Sequence, residues 1–222
     1  FAKDFEIPCV GGKVSLYNET SDGPIKPTPV IGVIGLIDKK PLKIQKINSG
    51  DSLIMVGDTK DELGGSEYSE YIHKFIGGKC PAVDFSESKK NMNSVLDAIE
   101  NELIKSAHDC SKGGLSIAIS ELCMINQIGC NISLEKIPGE KLDSDKILFS
   151  ESHSRYLLTI ENKNLSKLEE TMKKHNVSYS LIGEFTGDSI CFTGDSQPII
   201  DLSVDKAQKT WYNSLKEMVL HA

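Results

Sequence analysis

From about residue 42 to the C-terminus, the spacing of apolar residues switches repeatedly between two and three-to-four. A period of two marks half-buried strands and a period near 3.6 marks amphipathic helices. Ser52 to Val56 reads as a strand, and Ser66 to Ile76 as a helix with Tyr68, Tyr71, Ile72 and Phe75 on one face and Gly77-Gly78 as its stop. Residues 89–104 carry Met92, Val95, Leu96, Ile99 and Leu103 at helical spacing, and Gly114 to Ile125 is a second apolar helix. Asn131 to Leu134 and Tyr156 to Ile160 read as strands, followed by a helix over 165–175 capped by Asn164. Tyr179 to Phe185, Ser189 to Thr193 and Ile199 to Leu202 are further strands. A last helix, capped by Ser203, turns Val204, Ala207, Trp211, Leu215 and Met218 inward. Such alternation predicts an α/β or α+β layered domain.

The first forty residues read differently. Ile7 to Val10, Lys13 to Tyr17 and Val30 to Ile37 read as strands, with a proline-rich loop over 18–29 and a turn over Asp38 to Pro41. No helix accompanies them, and two or three strands cannot bury both faces. They are expected to be the tail of a domain whose body lies upstream, or strands that dock on a partner. The chain begins with Phe1 rather than Met, which fits a processed chain or a piece of a longer protein.

Composition removes several function classes. With 39% hydrophobic and 26% charged residues the chain is globular, and the net charge of −7 argues against a nucleic-acid or anionic-membrane binder. No apolar run approaches the ~18 residues of a membrane-spanning helix, and no secretory h-region opens the chain. The six cysteines show no metal or redox spacing and are expected to be reduced thiols of a cytoplasmic protein. The basic residues include one arginine, Arg155.

Four segments carry candidate chemistry. Gly11-Gly12-Lys13-Val14-Ser15 is a glycine turn where backbone approaches a ligand closely and Lys13 faces a phosphate, or a plain hairpin turn. Just beyond it, Asn18 and Glu19 offer oxygens to a hard cation, or are ordinary turn residues. Ala107 to Leu115 leads through Gly113-Gly114 into a helix whose N-terminus suits an anion, with His108 and Asp109 beside it. Phe149 to Tyr156 strings polar residues around Arg155, as a binding loop or as a solvated loop with a Glu151–Arg155 ion pair. Leu63-Gly64-Gly65-Ser66 is either another anion turn or a plain N-cap. From the residues alone, these point to a phosphate-bearing ligand on an α/β protein.

Taken together, residues 7–20 (Ile-Pro-Cys-Val-Gly-Gly-Lys-Val-Ser-Leu-Tyr-Asn-Glu-Thr), 27–37, 62–68 (Glu-Leu-Gly-Gly-Ser-Glu-Tyr), 107–115 (Ala-His-Asp-Cys-Ser-Lys-Gly-Gly-Leu) and 148–152 (Leu-Phe-Ser-Glu-Ser) resemble phosphoribosylformylglycinamidine synthase. The match is to the C-terminal part of its large synthetase subunit, within the aminoimidazole ribonucleotide synthetase superfamily. The resemblance implies ATP and magnesium as cofactors, and a reaction in which ammonia replaces an ATP-activated amide oxygen of formylglycinamide ribonucleotide. It implies a glutaminase subunit and a small accessory subunit as partners.

By resemblance, Gly12 contacts ATP and Ser15 contacts the ribonucleotide substrate. The family's magnesium-binding asparagine is Lys13 here, and an ammonium group cannot ligate a cation. The remaining motifs place cofactor contacts at His108, Asp109, Gly113, Gly114, Glu151 and Ser152. The family's catalytic histidine has no counterpart in this chain. Residues 1–42 are expected to be the remnant of a second N-type domain and 43–222 a second C-type domain, inactive alone, with a homodimer through residues 7–37 conceivable. The alternatives are an inert nucleotide-binding or subunit-docking scaffold, and another superfamily enzyme such as a small-molecule kinase.

Overall fold

The computed structural model describes residues 1–15, 18–25, 28–37 and 45–220. The chain divides into two compact units, Phe1–Pro41 and Leu42–Ala222.

The first unit holds one small ladder, β1 (Glu19–Thr20) paired antiparallel with β2 (Gly23–Pro24). The strands expected at 7–10 and 30–37 are irregular, as are residues 13–15 of the third; Leu16, Tyr17 and the turn at 38–41 lie outside the described residues. The physical reason is exposure. Val10, Val14, Val30, Ile34 and Leu36 are all more than four-fifths exposed. A strand sequence with no neighbouring strand to satisfy its N–H and C=O groups has nothing to hold it extended.

The second unit is built on β3 (Ser52–Val56), α1 (Glu67–Tyr71), α2 (Phe85–Glu100), β4 (Ser106–Asp109), α3 (Gly114–Asn126), β5 (Cys130–Ser133), α4 (Ser144–Phe149), β6 (Tyr156–Ile160), α5 (Leu165–His175), β7 (Tyr179–Phe185), β8 (Ser189–Gly194), β9 (Gln197–Ser203) and α6 (Val204–Leu220). Its seven-stranded sheet runs β4-β6-β3-β7-β5-β8-β9. Only β5 and β8 pair in parallel; the rest are antiparallel. The layered α/β reading is therefore correct.

Central strand β3 explains the layering. Its five residues are all buried, so both faces must be covered. Leu53 and Met55 join Leu157, Ile182 and Phe185 under α3, α4 and α6, where Leu115, Ile119, Leu122, Leu148 and Val204 close one core. Ile54 and Val56 face the other way, with Leu158 and Ile160 against Val95 and Ala98 of α2 and Leu168 and Met172 of α5. A one-residue slip would swap the two sets. The register shifts between Leu53 and Ile54, where Ile182 is accommodated as an extra residue of β7.

Several boundaries depart from the sequence reading. Helix α2 starts at Phe85, because the Asp84 side chain accepts the Glu87 N–H at 2.9 Å and caps it there. It stops at Glu100, and Glu102 takes a left-handed φ of 53°. Asn164 does not cap α5 with its side chain; its Nδ2 donates to the Leu103 carbonyl instead, at 3.1 Å. The helix expected over Ser66 to Ile76 ends at Tyr71, with Lys74 left-handed at φ 53°. Tyr71, Ile72 and Phe75 are each more than half exposed, so no apolar face is buried to extend it. Ser203 does cap α6, accepting from Lys206 N at 3.3 Å, and Val204 is buried. Trp211 is 52% exposed rather than inward; the side chains of Leu215 and Met218 lie outside the described residues.

Candidate functional site

Three of the four candidate segments meet at one end of the second unit. Edge strand β4 pairs with β6, setting Asp109 opposite Tyr156, and the Cys110 N–H continues the contact to the Arg155 carbonyl at 3.0 Å. The segment leading to the glycine turn is thus strand up to Asp109. The chain then reverses through Gly113 and Gly114, with left-handed φ of 79° and 69°. Both conformations favour glycine. A side chain on Gly114 would also sit 2.6 Å from the Ser150 carbonyl oxygen, so this turn lies directly on the 148–150 backbone.

The Ser150-Glu151-Ser152 segment is pinned along its length. Ser150 Oγ accepts Glu62 N–H at 3.2 Å and Ser152 Oγ accepts Lys60 N–H at 3.1 Å. Between them, the Glu151 N–H donates to the Glu62 carbonyl at 3.1 Å. Phe149 stacks on Tyr68, rings nearly parallel with centroids 4.5 Å apart. The Glu151 carboxylate then bridges two segments: Oε1 accepts Glu67 N–H at 2.9 Å and Gly113 N–H at 2.8 Å. Lys112 Nζ reaches the Glu67 carboxylate at 2.7 Å.

Arg155 is the largest fully buried side chain here, with 1% of its surface exposed. Of the two readings of this loop, the solvated one with a Glu151–Arg155 ion pair is not what forms. Nε donates to the Ser152 carbonyl at 2.9 Å, Nη1 to Thr59 Oγ1 at 3.1 Å and Nη2 to the Ser150 carbonyl at 2.5 Å. All three acceptors are neutral. Burial accordingly lowers the Arg155 pKa, while Cys110, Glu62 and Glu151 nearby work the other way.

His108 and Asp109 diverge. His108 Nε2 lies 3.0 Å from Glu121 Oε2, tying β4 to α3. The Asp109 side chain is 69% exposed and 3.9 Å from His108 Nδ1. Burial first, then Asp109, raises the Cys110 pKa to about 11, with Arg155 opposing, which disfavours its thiolate. A cleft of about 380 Å³ opens between the 109–112 turn and the 151–156 loop. Among the described residues no group of three or more His, Cys, Asp or Glu side chains is placed to hold a metal ion.

Gly12, Lys13 and Ser15 belong to the first unit and are exposed. The Ser15 carbonyl accepts from Asn18 Nδ2 at 2.7 Å, so that side chain folds back on its own turn. Sequence reasoning missed Thr59, Lys60 and Glu67. Thr59 and Lys60 carry no motif, and Glu67 counted only as part of one; their role is visible only once residues some ninety positions away are brought beside them.

A mixed sheet with helices on both faces, and glycine turns, helix starts and a polar loop gathered at one end, defines a layered α/β domain. Residues 48–193 match the family described as AIR synthase related protein, C-terminal domain, and the chain belongs to that family. It is similar to the phosphoribosylformylglycinamidine synthase subunit PurL of Methanocaldococcus jannaschii, 36% identical over 98% of this chain and 30% of the relative. The chain therefore spans about 30% of the length of the curated relatives it matches. Among solved structures it resembles T. maritima PurL complexed with FGAR, with a TM-score of 0.68 and 19% identity over 75% of this chain and 29% of that one. T. maritima PurL complexed with ATP gives a TM-score of 0.61, also at 19% identity, over 75% and 27%. These two likenesses establish the fold.

Proposed function

We propose that this chain is the C-terminal portion of the large subunit of an ATP-dependent phosphoribosylformylglycinamidine synthase. That enzyme converts formylglycinamide ribonucleotide and glutamine-derived ammonia to formylglycinamidine ribonucleotide, a purine precursor, in the cytoplasm. Residues 1–42 are the end of its second N-type domain and 43–222 its second C-type domain. A glutaminase subunit and a small accessory subunit are its partners. What carries the reading is the convergence of the 62–68, 107–115 and 148–152 motifs on Glu151, in a chain whose second unit contains the family match.

The roles follow residue by residue. Gly12 lets the backbone approach ATP, and Ser15 offers a hydroxyl to the ribonucleotide. Lys13 sets its ammonium beside the phosphates where relatives of this type would hold magnesium, so this half contributes charge without a metal ligand. ATP, when bound, supplies the phosphoryl group that activates the amide oxygen. No residue of this chain is assigned a catalytic role, and the chain alone is expected to be inactive. Lys13 also favours a second reading, in which this half binds nucleotide structurally and never turns it over.

Calorimetric titration of magnesium-ATP into the protein, beside Lys13→Asn, tests the assignment. Binding that is lost in the variant is expected. Equal binding by both, or none by either, would remove residues 12–15 from nucleotide contact.

A further inference from the structure

Sequence resemblance puts cofactor contacts at Gly113, Gly114 and Glu151. Two N–H donors meet there, as a phosphate oxygen would require, but both are already taken. Glu67 N–H and Gly113 N–H converge on the single oxygen Oε1 of Glu151 at 2.9 and 2.8 Å, from segments 46 residues apart in sequence. We propose that Glu151 is a resident anion: its carboxylate stands where a ligand phosphate would, and turns this seat into a structural clasp that is closed to nucleotide.

Three observations support the clasp. First, the carboxylate is held in place by its own backbone. Glu151 N–H is bonded to the Glu62 carbonyl at 3.1 Å, and Ser150 and Ser152 are bonded on either side. A tethered group so placed competes at a high effective concentration and loses little freedom on binding. Second, the Gly113–Gly114 turn packs directly on the 148–150 backbone, which fixes the Gly113 N–H where Glu151 takes it. Even a methyl on Gly114 would lie 2.6 Å from Ser150 O and 2.9 Å from the Phe149 carbonyl carbon. Third, the local charge disfavours a second anion. Lys112, the exposed cation at this edge, is engaged by Glu67 at 2.7 Å, the buried Arg155 gives its donors to two carbonyls and Thr59, and the Asp109 carboxylate is exposed on the same turn. The inference concerns residues of the second unit only and does not depend on whether ATP contacts residues 12–15.

The test is chemical rescue of Glu151→Ala in the full-length protein, read as melting temperature with acetate or inorganic phosphate against chloride at equal ionic strength. The wild type should be indifferent to both anions. Glu151→Ala should melt lower and recover saturably with acetate or phosphate, as the emptied seat fills. Glu151→Gln, whose amide oxygen still accepts both N–H groups, should melt between the two and remain indifferent to anions. A saturable phosphate response of the wild type would overturn the proposal. So would a folded Glu151→Ala that neither anion rescues. Should Glu151→Ala fail to fold, hydrogen exchange on the wild type decides: Glu67 and Gly113 amides protected support the clasp, and rapid exchange of both overturns it. Magnesium-ATP titration run in parallel reads residues 12–15 separately, so failure there leaves the rescue result standing.

Discussion

Replacing Arg155 with Met should destabilise the second unit by about 3–5 kcal/mol, the balance of three lost hydrogen bonds against the relieved desolvation of a buried cation. The guanidinium makes three hydrogen bonds, to the Ser152 and Ser150 carbonyls and to Thr59 Oγ1, with 1% of the residue exposed. Bonds to a charged group contribute about 1.5–3 kcal/mol each, so the gross loss lies above the net figure. Relief of the desolvation cost of a buried cation, several kcal/mol, offsets part of it. Methionine keeps the apolar stem and fills most of the volume, so little of the effect is a cavity term. In a domain of this size each kcal/mol shifts the melting temperature by about 2–4 °C, so a fall of roughly 6–20 °C follows. Urea unfolding followed by far-UV circular dichroism gives the free energy, and hydrogen exchange locates it. Amides of residues 150–154 should lose protection before those of β3. A variant within about 1 kcal/mol of wild type, with the loop still protected, would refute the idea that Arg155 holds this loop.

Gly65 and Gly114 separate backbone strain from collision. Gly65→Ala (φ 70°, open space around it) should cost about 1–2 kcal/mol, whereas Gly114→Ala (φ 69°, Ser150 O at 2.6 Å) should cost about 3 kcal/mol or more; equal losses in urea would contradict the close approach. Lys105 and Asp51 form a buried pair, 2.7 Å apart with 7% of each side chain exposed. Lys105→Met should therefore cost about 3–5 kcal/mol, and pairing it with Asp51→Leu should cost less than the sum of the single changes in a double-mutant cycle. Asp97 has its pKa lowered from 3.8, first by the Lys174 hydrogen bond and then by His175. Its contribution is present above the unfolded value and lost as pH falls through the folded one. The stability gap to Asp97→Asn should thus be open at neutral pH and close below pH 3.8, and a gap that widens in acid would disprove the assignment.

Much of the second unit was legible in sequence. Tyr156–Ile160, Leu165–His175 and Tyr179–Phe185 begin and end where their periodicity says, because each buries a face whose spacing matches its own backbone period. Boundaries fixed by other forces were not legible. Asp84 caps α2 so that it starts at Phe85, four residues before the stretch read as helical, and the six residues of α4 are too few to show a helical period. The strands read at 7–10 and 30–37 have strand-forming residues but, among the described residues, no pairing strand, and pairing is what makes a strand. The glycine turns at 64–65 and 113–114 and the Phe149–Tyr156 loop were visible as candidate site segments. That three of them share one clasp was not, since sequence says nothing about which donor meets which acceptor across ninety residues.

The sequence by itself determined the layered α/β class and the family, because residue periodicity and short motifs are properties of neighbouring positions. Only the tertiary structure decided what the motif residues do. Glu151 reads as a ligand contact in the chain and becomes the acceptor for Glu67 and Gly113 in the fold. Arg155 reads as part of a binding loop or as a surface ion-pair partner and becomes a buried support for its own loop. A side chain's role depends on which polar groups remain unsatisfied after the backbone has packed, and that is set by contacts between residues far apart in the chain.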